Sequence, residues 1–207
     1  MEITVFLTTF AALIAICNPL GNAAIFLSIT DGEKSGERHA QATRGCIYML
    51  LILLAFFFCG QAIMSFFGLS LQGIRIAGGL VIVKIGFGLL TPETKDTHTD
   101  EEHEEALDKP DISFSPLAMP LLSGPGAIAT VIGLSANSGG RYWAYSQMIM
   151  AIFAVVMICW VILINSERLL GFLGVNGANA LTKIMGFILL CIGVQLCING
   201  VLELVSK

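Results

Sequence analysis

The sequence predicts an all-α polytopic membrane protein of six transmembrane helices, built as two inverted three-helix repeats with the first helix of each half broken at its centre. Three observations predict it. Charged residues make up only 13% of the 207 residues and mean hydropathy is +0.83, against about 25% charge in a soluble domain. The apolar residues lie in long runs: 45–67 and 142–165 carry no charge over 23 and 24 residues, and roughly 20 such residues cross a hydrocarbon core of about 30 Å. Finally, two apolar segments break at matching places, at Asn18-Pro19-Leu20-Gly21 and at Gly124-Pro125-Gly126.

Taken in order, the spans fall at about 3–29, 45–67, 69–90, 112–135, 142–165 and 184–202. The N-terminus opens Met1-Glu2 without a basic stretch, so the first span is expected to be retained rather than cleaved as a signal. Residues 31–44 form a mixed-charge connection. Residues 91–111 form an acidic one around Glu101-Glu102-His103-Glu104-Glu105. Asn137-Ser138-Gly139-Gly140 reads as a tight turn, and 166–183 as a partly apolar connection at the membrane interface. The whole chain, 1–207, is one membrane domain: a first half 1–91, the acidic loop 91–111, and a second half 112–207.

Lysine and arginine bias orients the bundle. The first, third and fifth connections hold seven of these residues and the opposite side three. The seven-residue side is therefore expected in the cytoplasm, with both termini outside. Three spans is an odd number, so a duplicated second half must be inverted. Arg75-Ile76-Ala77-Gly78-Gly79 and Lys183-Ile184-Met185-Gly186-Phe187 open the third span of each half in similar fashion.

The breaks carry the candidate chemistry. Proline removes a backbone N–H and clashes with the preceding turn, and a bilayer tolerates the result only where the freed backbone lines protein or water. Paired breaks in two halves point to a transporter's substrate site. The half-helix starting after each break presents unpaired N–H groups and a positive dipole end. The half-helix before it is expected to leave free carbonyls near Ile16-Cys17 and Leu122-Ser123. A zwitterion would match both. The substrate-binding candidates are thus Asn18, Pro19, Gly21, Asn22, Ser123, Gly124, Pro125 and Gly126, and small neighbours such as Ala23, Ala118 and Ala127 leave room for a small solute. The bland alternative is a pair of proline kinks repaired by neighbouring helices.

Other polar residues weigh less. Lys84 lies within the third span and is a candidate for ion or proton coupling, or else a lysine satisfied by carbonyls or lipid phosphate. Gln61, Gln195 and Asn199 suit hydrogen bonds between helices. The six cysteines lie in apolar segments without metal spacing and read as small buried hydrophobes. His98 and His103 sit in a solvated acidic loop, and His39 in an ordinary one. No metal site, cofactor or nucleic-acid partner is implied. No histidine falls in a span and no phosphate-binding loop is present, so neither an enzyme nor a primary pump is expected.

The set Asn18-Pro19-Leu20-Gly21-Asn22, Arg75-Ile76-Ala77-Gly78-Gly79, Pro116-Leu117-Ala118-Met119-Pro120-Leu121-Leu122-Ser123-Gly124-Pro125-Gly126-Ala127 and Ile184-Met185-Gly186 resembles the MarC family of bacterial and archaeal inner-membrane proteins. The resemblance spans nearly the whole chain. It implies a six-span plasma-membrane protein with a polar cytoplasmic loop between the third and fourth spans. It also implies relatives that carry small neutral amino acids such as glycine and alanine. Secondary transport of such a solute by alternating access is the expected function. Lipid and the solute are the expected partners, with association of further copies left open. A non-transporting membrane scaffold or assembly factor is the alternative.

Overall fold

The computed structural model describes residues 2–30, 32–91, 111–138 and 141–205. The acidic loop with His98 and His103, Gly139-Gly140 of the predicted turn, and Lys207 lie outside the described residues.

The first span is two helices, α1 (Glu2–Cys17) and α2 (Pro19–Ile29), hinged at Asn18. Asn18 takes the left-handed conformation (φ 36°, ψ 61°), and its Oδ1 accepts from the Gly21 N–H at 3.4 Å. Asparagine is among the few residues that tolerate this region and among the best helix N-caps. Pro19 follows at the first helical position, where its missing N–H costs nothing.

Helix α3 (Ser35–Phe67) begins ten residues before the predicted span. The segment 35–44, expected as connection, is its first turns: polar residues that propagate a helix also lower its hydropathy. It ends at Gly68 (φ 64°), with Leu69 N donating to Met64 O and Gly68 N to Ser65 O, the paired bonds of a Schellman stop. Helix α4 (Leu71–Leu90) starts on a Ser70 cap, whose Oγ accepts from Gly73 N at 3.0 Å.

The second half departs from an ordinary helix before its break. Ser113–Leu122 is a wide, irregular turn of chain with extended backbone at Ser115 and Met119. Each precedes a proline, whose ring pushes its predecessor out of the helical region. Both bonds, Ser115–Pro116 and Met119–Pro120, are cis. Helix α5 (Pro125–Asn137) follows after a 61° bend.

Helix α6 (Tyr142–Ile164) is regular. Helix α7 runs Ser166–Val205, interrupted at Gly174 (φ 65°, ψ 168°). At about 1.5 Å per residue its 40 residues would reach about 60 Å, twice a hydrocarbon core, so only its second part, Thr182–Val205, reads as a span. The connection predicted at 166–183 is therefore helical. Among the described residues five spans are long and apolar enough to cross a membrane, α1 and α2 together making the first, and six if the bent pair Ser113–Leu122 and Pro125–Ala136 counts as one.

Packing runs between the halves. Helix α1 lies on α6, α3 on Ser113–Leu122, α5 and α6, α4 on α5 and α7, and α2 on α7 and α6. The core sits where the breaks do, around Cys17, Ala23, Phe26, Leu117, Leu122 and Ala127. Helices α4 and α7 approach at backbone distance: a Cβ added to Gly79 would lie 2.6 Å from the Gly193 oxygen, and one on Gly86 2.8 Å from the Gly186 oxygen. Their outer faces expose Leu80, Phe87, Phe187 and Ile198, as lipid-facing surface does.

Candidate functional site

The two breaks meet. Asn22, one turn into α2, is 8% exposed. Its Nδ2 donates to the Cys17 carbonyl and to the Leu121 carbonyl, both at 2.8 Å. One amide therefore ties the end of α1 to the end of the irregular segment in the other half. The Cys17 thiol adds a bond to the Leu122 carbonyl at 3.3 Å. These contacts correct part of the sequence reading: the carbonyls expected to be free at Cys17 and Leu122 have protein donors. Each carbonyl still keeps a second lone pair.

The N–H side of the second break differs. Gly124 precedes α5 and no side chain caps it. Pro125 has no N–H to satisfy, so the donors in question belong to Gly126 and Ala127. Beside them, Ser123 is fully buried, and its hydroxyl has no hydrogen-bond partner. A buried hydroxyl without a partner costs about 1–3 kcal/mol. Thr130, a turn further on, is satisfied within its helix, donating to the Gly126 carbonyl at 2.8 Å.

The glycines are held by packing. A Cβ on Gly21 would fall 2.3 Å from Asn18 Nδ2, so this glycine leaves room for the cap. A Cβ on Gly126 would lie 3.1 Å from Ile82, with Ile16 and Ile85 slightly further. Asn18 is itself buried and engaged as a cap, and Pro19 and Pro125 both occupy first helical positions. The structure thus brings Cys17, Asn22, Leu121 and Ser123 to one place. Leu121 was not singled out in the sequence, because its role depends on contact with Asn22 across 99 residues.

Lys84 stands apart. It is exposed on the outer face of α4, one turn from exposed Leu80 and from exposed Phe87, and does not join the breaks. Gln195 donates to Asn199 at 2.9 Å along its own exposed helix face, not between helices as expected. Cys59 and Cys191 are exposed, while Cys17, Cys46 and Cys159 are buried.

Ion pairs mark the two ends of the bundle. Arg38 reaches Glu167, and its Nη2 donates to the Thr30 carbonyl at 2.9 Å. Arg44 meets Asp111 at 3.0 Å. Arg38, Arg44, Asp111 and Glu167 therefore gather at one end. Arg75 pairs with Glu203, joining the start of α4 to the end of α7.

An all-helical, multi-pass integral membrane protein whose halves meet at broken helices is the class these features define. The chain belongs to the MarC family: it matches the description "MarC family integral membrane protein" over residues 3–205. It is 38% identical over 204 residues to UPF0056 inner membrane protein MarC of Salmonella typhimurium, covering 94% of this chain and 92% of that one. It is 36% identical over 205 residues to the protein of the same name from Escherichia coli, with the same coverage. No solved structure matches it.

Proposed function

We propose that the chain is a secondary transporter of a small polar solute, a small neutral amino acid, lying in the plasma membrane with both termini outside. The relatives' names place those proteins in the inner membrane. The observation that carries the reading is the buried, unpartnered Ser123 hydroxyl beside the uncapped start of α5, where the two broken spans meet. A hydroxyl donor, free N–H groups and a positive helix end suit a carboxylate. The second lone pairs of the Cys17 and Leu121 carbonyls suit an ammonium.

Two inverted halves are supported by how the helices pair. Exchanging the halves turns the α1–α6 contact into that of α3 with Ser113–Leu122, and α2–α6 into α3–α5. It turns α4–α5 into α2–α7, and returns α3–α6 and α4–α7 to themselves; all of these contacts occur. Gly79 faces Gly193 while Gly86 faces Gly186, the crossed register such an exchange requires. Rocking of one half on the other would then alternate access to the breaks.

Uptake of radiolabelled glycine or alanine into proteoliposomes tests the function. The expected result is saturable uptake, inhibited by the free amino acids and poorly by their esters or N-acyl derivatives. Absence of uptake of either amino acid in well-folded protein favours the scaffold, with Asn22 serving only to splint two packing kinks.

A further inference from the structure

A second polar site lies away from the breaks, at the end of the bundle where Arg44 meets Asp111. A cavity of about 290 Å³ is lined by Glu33, Glu37, Ala40, Gln41, Arg44 and Asp111. Glu37, Gln41 and Arg44 stand at i, i+4 and i+7 in the first turns of α3, so one helix face presents all three. Glu33 comes from the turn before the helix, and Asp111 from the start of the second half.

Arg44 Nη1 bonds Asp111 Oδ2 at 3.0 Å. The Ser113 hydroxyl, close to the carboxylate though short of hydrogen-bond geometry, and the Ser113 N–H, donating to Oδ1 at 2.8 Å, hold Asp111 below the usual carboxylate range, with Arg44 adding to the effect. That pair is satisfied. Glu33 and Glu37 leave the rest of the cavity negative.

Gln41 forms the buried wall, at 6% exposure. Its Nε2 donates to both Glu33 carboxylate oxygens, at 3.0 and 3.1 Å. A carboxylate only accepts, so Glu33 fixes which way the amide points. The remaining amide oxygen, Oε1, is buried with no donor. The cavity holds far more than one water, whose share of liquid is about 30 Å³, and is near the lower bound of small-molecule sites, about 300 Å³. Among the described residues no three His, Cys, Asp or Glu side chains gather to hold a metal ion.

We propose that this cavity binds a small solute through a protonated primary amine. Its three N–H donors match three acceptors: Gln41 Oε1 and the carboxylates of Glu33 and Glu37. The site stands independently of transport through the breaks.

Calorimetric titration of methylammonium chloride into the purified full-length protein tests it, with sodium chloride and tetramethylammonium chloride at equal ionic strength beside it. Saturable methylammonium binding is expected, weakened about tenfold or more by Glu37→Gln and by Gln41→Leu. Glu37 is exposed, so its variant tests the site without disturbing the core. Tetramethylammonium, which has no N–H to donate, should bind far more weakly. The proposal is overturned by absence of saturable binding, by equal binding of sodium or tetramethylammonium, or by unchanged affinity in both variants.

Discussion

At the scale of single residues, Asn22 and Ser123 have opposite relations to the fold. Asn22 fills both of its amide donors with carbonyls from the two breaks. Asn22→Leu would remove two hydrogen bonds worth about 0.5–1.5 kcal/mol each and strand two buried acceptors. A loss of about 2–4 kcal/mol is expected, read as a lower midpoint in chemical or thermal unfolding in detergent. Lys84 points away from both breaks, so Lys84→Met should keep the wild-type rate of amino-acid uptake in proteoliposomes. A selective loss of uptake there, with folding intact, would give this lysine the coupling role that its place in a span first suggests.

Among the elements, the α4–α7 pair is held by approach of backbone to backbone. Gly86→Val would drive its side chain into the Gly186 oxygen and the Leu190 backbone. Overpacking of this kind costs about 1–3 kcal/mol, and here rigid backbone is what must yield. Gly88 has open space around its Cβ position. Gly88→Ala should be neutral or stabilising, by up to about 1 kcal/mol from helix propensity. Thermal unfolding of the two variants side by side reads the difference.

The elements also show what the sequence could tell. Pro19, Asn18 and Pro125 mark helix starts by local chemistry, and the breaks stand where the sequence put them. The extended residues Ser115 and Met119 were legible too, because a following proline dictates them, yet the segment's hydropathy reads as plain helix. Hydropathy locates membrane rather than helix, which is why the early starts of α3 at Ser35 and α7 at Ser166 went unread. The outward aim of Lys84 had no local signal, since α4 is apolar or small on nearly every face.

For the whole molecule, the pairing of halves and the gathering of the 31–44, 111 and 166–168 ends argue for an even number of crossings. Arg38–Glu167 and Arg44–Asp111 hold one end, and Arg75–Glu203 the other. With the lysine and arginine bias, reporter fusions should find residues 97–105 in the cytoplasm and Lys207 outside. A cytoplasmic C-terminus would overturn the orientation and, with a cytoplasmic 97–105, the count.

The central claim is that the meeting of the breaks binds the transported solute, and Ser123→Ala tests it most directly. The hydroxyl supports nothing in the protein, so its removal should leave unfolding stability unchanged or raise it. If it donates to a substrate carboxylate, glycine or alanine affinity should fall about tenfold to a hundredfold, the worth of a hydrogen bond to a charged group. The measurement is substrate binding and proteoliposome uptake beside thermal unfolding of the same preparation. Weakened binding with undiminished stability is the expected result; a variant that binds and transports as the wild type does would contradict the site.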